Sequence, residues 1–216
     1  MDKLKSLVES SKSCDIIKTI NHDMQGILFH HHVHILYDLR TFLGKDKKTY
    51  MEIGTFHGGV ISLILQHPYR TEIHAVDPLN LIEKQQQNVE MNIKKYNKYD
   101  YNVTLYKKYS TDQTLLNNFK KSSFNTDILF IDGGHSFSDV INDFYNYEKF
   151  VNSNGFICFD DYNDYQYSAE VKHAVDFIVS QLDTRKYEIW GCLENTKKAY
   201  DCLSLDMNNI FIIYKK

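Results

Sequence analysis

The octapeptide EIGTFHGG, residues 52–59, joins a β-strand pattern to an apolar helix pattern near the start of the chain's regular alternation. Glycine has no Cβ, so Gly54, Gly58 and Gly59 allow the backbone of this turn to approach a ligand closely. The turn departs from the dinucleotide pattern G-x-G-x-x-G, because Phe56 stands where a second glycine would meet a pyrophosphate. The stretch therefore predicts a ligand-binding turn and disfavours a nicotinamide or flavin dinucleotide.

Strand and helix patterns alternate around this turn. The strand patterns lie at 49–53, 72–77, 102–107, 127–132, 155–160, 187–190 and 209–214, and the helix patterns at 60–66, 81–95, 112–119, 140–151 and 171–182. Such alternation predicts an α/β, Rossmann-like fold with a largely parallel seven-stranded sheet and helices on both faces. No helix pattern separates the last two strands, so they predict an antiparallel hairpin at the C-terminal edge.

The domain organisation follows from length and from the absence of linkers. The 216 residues contain two prolines and no repeat or low-complexity stretch, and they suffice for one domain with a sizeable core. We expect a single domain over residues 1–216, with a helical N-terminal extension over 1–45 and the Rossmann-like core over 46–216.

Composition limits the binding partners and the cellular compartment that we expect for the protein. A net charge of −3 gives no general attraction to nucleic acid, and no stretch reaches membrane-spanning length. The four cysteines show no C-x-x-C spacing, which predicts a reducing, cytoplasmic protein. Lysine far outnumbers arginine, a bias typical of an AT-rich genome, viral or protist; a viral protein would act in the host cytoplasm. Composition leaves a homo-oligomer open.

Acidic residues follow four of the strand patterns. They are Glu52, Asp77, Asp132 and the pair Asp160 and Asp161. Ligands of open α/β sheets bind beyond the carboxyl ends of the strands, and one such acid could equally be a helix N-cap. Acidic residues at the ends of four strands, all at the same edge of the sheet, are harder to explain as helix caps. At the second strand, Asp77 could accept both hydroxyls of a ribose, which fits an adenosine ligand without a pyrophosphate.

The series E-I-G-T-x-x-G-G, Asp77, D-G-G-H at 132–135 and F-D-D-Y at 159–162 resembles the class I S-adenosylmethionine (SAM)-dependent methyltransferases. More narrowly, it is similar to the metal-dependent group that methylates sugar hydroxyls in natural-product tailoring. The resemblance covers about residues 50–182 and departs at Val60-Ile61, where the family commonly has Ser-Thr. It implies SAM contacts by Glu52, Gly54 and Gly58 at the methionine end, Asp77 at the ribose and Ser110 near the adenine, with Thr55 and Asp132 also at the cofactor.

The resemblance further implies that Asp132, Asp160 and Asp161 bind a metal and that His135 is the catalytic base. Three carboxylates with open positions suit Mg²⁺ or another hard divalent cation, which could lower the pKa of a substrate hydroxyl. Because His135 precedes a helix, the positive helix N-terminus favours its neutral, proton-accepting form. The competing interpretation of His135 is a structural turn residue.

These features predict Mg²⁺-dependent methylation of a hydroxyl on a sugar or glycan with adjacent hydroxyls, without a nucleic acid or membrane partner. One alternative is an O-methyltransferase of a catechol or other small diol. A different class, a non-catalytic Rossmann-like interaction protein, leaves the acids and His135 unexplained. Three aromatic residues near the acidic pair, Tyr162, Tyr165 and Tyr167, predict a cleft rim or an anchored loop. For the run His30–His34, polar helix surface or one cleft-lining residue is favoured over a metal site.

Overall fold

The structure, a computed structural model, describes residues 4–6, 10, 13–23, 33–192 and 210–216. Its helices are α1 (Ser13–Asp23), α2 (His34–Phe42), α3 (Gly59–Leu65), α4 (Gln85–Tyr96), α5 (Gln113–Lys121), α6 (Phe137–Tyr147) and α7 (Ala169–Gln181), with a 3₁₀ turn at Glu148–Phe150. The strands are β1 (Lys48–Ile53), β2 (Thr71–Val76), β3 (Val103–Tyr106), β4 (Thr126–Ile131), β5 (Val151–Phe159), β6 (Tyr187–Gly191) and β7 (Phe211–Lys215).

All seven strands form one sheet in the order β3-β2-β1-β4-β5-β7-β6. The first five are parallel, whereas β7 pairs antiparallel with both β5 and β6. This arrangement confirms the predicted Rossmann-like α/β fold and its antiparallel C-terminal edge. The strand order reverses between β1 and β4, which is where open α/β sheets bind their ligands.

The sheet separates two apolar cores, because successive strand residues point to opposite faces. Tyr50 and Phe156 belong to the core beneath α1, α2 and α3. Their neighbours Met51 and Ile157 belong to the core beneath α5, α6 and α7. Trp190 lies in the first core and stacks on the ring of Tyr214 at a centroid separation of 5.3 Å. Both faces of the central strands are therefore buried, and their carboxyl ends remain for a ligand.

The histidine run at 30–34 lies partly outside the described residues, which include only its last member. His34 is buried, and its Nδ1 lies 3.1 Å from Asp38 Oδ2, to which the Ser13 hydroxyl also donates at 3.1 Å. The interpretation of the run as polar helix surface is therefore wrong for His34, whose partner Asp38 joins α2 to α1 through Ser13. No helix in the described ranges is both long and apolar enough to cross a bilayer.

Candidate functional site

Hydrogen bonds just past the strand ends bring the four acid-bearing turns to one edge of the sheet. Gly54 donates to the Val76 carbonyl at 3.0 Å, and Asp132 donates to the Ile53 carbonyl at 2.8 Å. The same type of bond joins Asp160 to β4 at 3.0 Å and Asp77 to β3 at 3.1 Å. Each turn thus begins in register with its neighbour, which assembles the site that the strand-end acids predict.

Gly54 fixes the distance between the first turn and the β4 turn. Its φ is +85°, and a Cβ there would overlap the backbone carbonyl of Asp132 and come within 2.9 Å of the amide of Gly133. Gly58, at φ +79°, begins α3 in the left-handed conformation. These two glycines satisfy the steric demand that the sequence predicts for the turn.

Asp77 organises the glycine turn. Its Oδ2 accepts the amides of Thr55 at 2.8 Å and Phe56 at 3.1 Å, and its Oδ1 accepts the Leu79 amide at 2.6 Å. Phe56 has a φ of +46°, a conformation that costs a residue with a side chain energy unless its surroundings hold it. This support of the turn is a role of Asp77 that its position at the end of a strand pattern does not reveal, although the amides of a tight turn need acceptors.

Gln85, at the start of α4, completes this support and was also missed. It is 1% exposed, and its Nε2 donates to the Phe56 carbonyl at 3.1 Å and to Asp77 Oδ1 at 3.4 Å. Its Oε1 accepts the Leu81 amide at 2.8 Å. The sequence offers no signal for it, because Gln85 is the first of three consecutive glutamines.

Glu52 is a fully buried carboxyl with an unused acceptor. Tyr50 donates its hydroxyl to Oε2 at 2.9 Å. In the described part of the chain, Glu52 Oε1 and Thr55 Oγ1 are buried and make no hydrogen bond of normal geometry. Burial raises the pKa of Glu52 to about 8, whereas the nearby hydroxyls of Tyr50 and Thr55 act in the opposite direction. Buried polar atoms are rarely left unpaired, so these two atoms mark a place where a ligand with hydrogen-bond donors fits.

His135 faces two carboxylates. Its Nε2 lies 3.4 Å from Asp161 Oδ2 and 3.8 Å from Asp132 Oδ1. The hydrogen bond with Asp132, together with the nearby carboxylates, raises the pKa of His135, whereas burial acts in the opposite direction. The expectation that the helix N-terminus favours the neutral ring is therefore wrong for this structure, because the carboxylates favour the protonated form. Burial, together with the Asp160 carboxylate, raises the pKa of Asp132. One ligand atom from each of Asp132, His135 and Asp161 lies within 4.8 Å of the others, and we call these three residues the Asp–His–Asp cluster.

Asp160 lies beside this cluster rather than within it. Its carboxyl is buried, accepts the Asp161 amide at 2.9 Å and borders a small cleft with Asp132 and His135. Asp161, which belongs to the cluster, takes the left-handed conformation, at φ +58°. The structure thus brings together Asp132, Asp161 and the expected base, with the third predicted metal ligand at their edge.

Ser168 contacts both His135 and Asp161. Its Oγ lies 2.9 Å from His135 Nδ1 and 3.0 Å from Asp161 Oδ2, and the residue is 2% exposed. The sequence analysis did not identify it, because a serine thirty-three positions from His135 carries no pattern.

Ser110 and Asp143 connect the turns after β3 and β4. The Ser110 carbonyl accepts the Tyr147 hydroxyl at 2.9 Å, and its own hydroxyl bonds to Asp143. Burial raises the pKa of Asp143 to about 7, and its Oδ2 would lie 2.9 Å from a Cβ at Gly133. Asp143 therefore lies directly beneath the β4 turn, on the side where the sequence expects an adenine.

The three tyrosines after the acidic pair divide into two groups. Tyr162 packs on Phe211 at 4.6 Å between ring centroids and donates its hydroxyl to Asp176 at 2.7 Å. Tyr165 and Tyr167 are 67% and 79% exposed. Tyr162 therefore anchors this segment, as one of the two expectations has it, whereas Tyr165 and Tyr167 are exposed and a cleft rim at these two residues stays a prediction.

Known proteins resemble this chain in sequence and in fold. A protein of Acanthamoeba polyphaga mimivirus, "Uncharacterized protein R132", is 40% identical over 221 residues, which span 99% of this chain and 98% of that protein. Among solved structures, an O-methyltransferase from Bacillus cereus in complex with SAH superposes with a TM-score of 0.60 at 14% identity, over 94% of this chain and 90% of that chain. An rRNA methylase from Streptococcus thermophilus superposes with a TM-score of 0.57 at 12% identity, over 87% and 96%.

At such identities the solved structures establish the fold alone. The family described as "Methyltransferase domain" matches residues 51–162, from β1 through the acidic pair after β5. That range contains the glycine turn, Asp77 and the whole Asp–His–Asp cluster, and it exceeds half of the chain. The chain therefore belongs to the methyltransferase-domain family.

Proposed function

We propose that the protein is a SAM-dependent O-methyltransferase that uses a hard divalent cation and acts on a sugar or glycan hydroxyl. The observation that carries this proposal is the position of His135 Nε2, 3.4 Å from Asp161 and 3.8 Å from Asp132. A proton acceptor thus lies beside a pair of carboxylates at the sheet edge that holds the glycine turn. Membership of the methyltransferase-domain family supports the same reaction class.

The glycine turn suits the methionine end of SAM. Within the described residues, Glu52 Oε1 and Thr55 Oγ1 are buried acceptors that make no hydrogen bond of normal geometry, and they fit a cationic amino group. Gly54 and Gly58 keep the backbone close to that end, and Asp77 would share its carboxylate between the turn and a ribose. Bound there, SAM supplies a methyl group on a positively charged sulfur.

The Asp–His–Asp cluster suits Mg²⁺ through its carboxylates. Oxygen ligands are those that hard divalent cations prefer, and Asp132 and Asp161 would hold the ion, with Asp160 at its edge. A cation there would hold a substrate hydroxyl and lower its pKa. The raised pKa of Asp132 in the protein itself fits this site, since clustered carboxylates are relieved by a bound cation.

His135 would then act as the general base. Its Nε2 would take the proton of the substrate hydroxyl as the hydroxyl oxygen takes the methyl group. SAM would supply that methyl group and leave as SAH, a neutral thioether. A positioned base of this kind contributes roughly 10²- to 10⁴-fold to a rate.

We infer the substrate class from the acidity of the hydroxyl to be methylated and from the exposed tyrosines that follow the acidic pair. A vicinal diol could fill two adjacent ligand positions of the cation, and sugars and catechols both offer one. A catechol hydroxyl ionises readily beside a cation, whereas a sugar hydroxyl is a much weaker acid and needs a base such as His135. The exposed rings of Tyr165 and Tyr167 could pack on a pyranose face, so we propose a sugar with adjacent hydroxyls.

The test is SAM turnover with Mg²⁺ against nucleotide sugars, oligosaccharides and catechols, each compared with its analogue deoxygenated at one position. We expect carbohydrate methylation that is lost when either adjacent hydroxyl is removed and that stops in excess EDTA. Turnover on catechols with none on any carbohydrate would overturn the substrate assignment. Thermal unfolding with SAM, SAH and NAD tests the cofactor separately, since a ligand specific to the native state raises its stability; stabilisation by NAD alone would overturn the reaction class.

A further inference from the structure

Tyr50 and Glu52 lie two positions apart in β1, so their side chains point to the same face of the sheet. Both residues are fully buried, and the Tyr50 hydroxyl donates to Glu52 Oε2 at 2.9 Å. We propose that Tyr50 is a positioning residue that holds the Glu52 carboxyl by one oxygen and so directs Oε1 at the amino group of the methionine end of SAM. The inference rests on the proposed function for the identity of the cofactor.

The hydrogen bond from Tyr50 decides the direction of the second oxygen of Glu52. The terminal torsion of a glutamate side chain has no sharp rotamer preference, so the backbone of β1 alone does not fix the plane of the carboxyl. Once Oε2 accepts the Tyr50 hydroxyl, the position of Oε1 is set as well, because the two oxygens share one rigid plane. Oε1 makes no hydrogen bond of normal geometry with any described residue, and neither does Thr55 Oγ1 on the adjoining glycine turn.

The charges around Glu52 favour a cationic ligand. Among the nearby charged groups, Asp132 and Asp77 act on its carboxyl most strongly, and both are acidic. A buried carboxylate is costly unless it is paired and hydrogen-bonded. The amino group at the methionine end of SAM is cationic at neutral pH and has several N–H donors, so it can satisfy Glu52 Oε1 and Thr55 Oγ1 together.

The hydroxyl of Tyr50 has a role distinct from the packing of its ring. The ring belongs to the core beneath α1, α2 and α3, and phenylalanine would fill the same space. A hydroxyl in an apolar core costs free energy unless it has a partner, and Glu52 provides that partner. Tyr96 is the contrast, since its hydroxyl is buried in the same core and makes no hydrogen bond within the described residues.

A cycle that removes the Tyr50 hydroxyl and the ligand amino group, singly and together, tests this positioning role. Calorimetric titration of the whole chain uses SAH and a deaminated analogue of SAH. For the wild type we expect loss of the amino group to weaken binding by at least about tenfold, the effect of one charge-assisted hydrogen bond. In Tyr50→Phe the amino group should contribute less than about threefold, so that SAH binds more weakly while the analogue binds as it does to the wild type.

Tyr96→Phe is the matched control and should bind both ligands like the wild type. If Tyr50→Phe weakens both ligands by the same factor, the proposal is overturned, because a merely structural role affects them alike. Equal affinities of the wild type for SAH and the analogue would overturn it while leaving the cofactor assignment intact. If the wild type binds neither ligand, the proposed function itself fails and the role of Tyr50 falls with it.

A structure of the wild type with SAH tests the geometry without any variant, should Tyr50→Phe not fold. We expect the amino nitrogen of SAH within hydrogen-bond distance of Glu52 Oε1, with the Tyr50 hydroxyl still on Oε2. An amino group bound elsewhere, or a Tyr50 hydroxyl turned from Glu52 to the ligand, would overturn the positioning role.

Discussion

Gly54 and Asp132 are in backbone contact across β1 and β4, so close that a Cβ on Gly54 would overlap the Asp132 carbonyl. This contact links the glycine turn to the Asp–His–Asp cluster. The two halves of the site are therefore not independent, because the glycine that we propose lies beside the cofactor also fixes the position of the strand end that carries Asp132.

Replacing Gly54 with alanine should therefore disturb both halves. Gly44 is the matched control, because it has nearly the same φ, +86° against +85°, and open space where its Cβ would stand. We expect Gly44→Ala to cost about 1 kcal/mol of unfolding free energy from backbone strain. Gly54→Ala should cost substantially more and abolish SAM binding, as measured by chemical denaturation and calorimetry. Equal costs for the two variants would show that the Gly54 contact is unimportant.

Gln85 should matter for cofactor affinity although it touches no catalytic residue. Gln85→Leu removes the donor to Phe56 and Asp77, so the strained turn loses a support and SAM affinity should fall by about tenfold, the effect of about one lost hydrogen bond. Gln87→Leu, two positions along the same helix and exposed, should leave affinity unchanged. Calorimetric titration with SAH measures both, and equal affinities would argue against a role for Gln85.

The buried carboxyl of Glu52 should make stability depend on pH. Its folded pKa of about 8 lies above the ordinary value of 4.5, so the folded state holds this proton more tightly. That contribution is fully present below the unfolded pKa and is lost as pH rises through the window between the two values, by at most about 1.4 kcal/mol per pH unit. Glu52→Gln removes it.

Denaturation of the wild type and Glu52→Gln at about pH 5 and about pH 8 tests this linkage. The variant should gain stability relative to the wild type at the higher pH. Glu83→Gln, whose side chain is 89% exposed, should show no such pH-dependent difference. A constant difference between Glu52→Gln and the wild type would contradict the burial of an uncharged Glu52.

Metal binding should depend on Asp161. Asparagine tolerates the left-handed conformation well, so Asp161→Asn removes the charge without adding backbone strain at φ +58°. We expect Mg²⁺ affinity to fall by at least about tenfold and SAM affinity to stay, because SAM contacts lie on other strands. Asp100→Asn, also left-handed at φ +54° and exposed, is the matched control. Unchanged Mg²⁺ affinity in Asp161→Asn would remove Asp161 from the metal site.

The sequence predicts which strands and helices exist better than it predicts the residues at which they begin. Apolar periodicity locates every strand, yet β5 begins at Val151 rather than at 155, since the polar residues 152–154 interrupt the apolar signal. The helix pattern from 81 yields α4 only from Gln85, because Lys84 takes a left-handed conformation, at φ +63°. Local backbone geometry of this kind does not follow from hydrophobic patterns.

The residues of the candidate site also fall into two groups, those that the sequence pattern reveals and those that it does not. The acids and His135 are visible in the sequence because they follow strand patterns directly. Gln85, Asp143 and Ser168 are not, since each lies on a helix that reaches the site only through tertiary packing. The distinction between Asp160 and Asp161 was equally hidden, because the two adjacent aspartates follow the same strand pattern.

We propose that His135 removes a proton at an Asp-lined metal site during methyl transfer, and single-turnover kinetics isolate this step. Enzyme loaded with SAM and Mg²⁺ is mixed with the best sugar substrate from the panel, and methylated product is followed for the wild type, His135→Gln and the exposed control His173→Gln. We expect His135→Gln to slow the transfer step by roughly 10²- to 10⁴-fold, with Mg²⁺ and SAM affinities little changed, and His173→Gln to react at the wild-type rate. A transfer rate in His135→Gln within about fivefold of the wild type, well short of a general base's contribution, would contradict it.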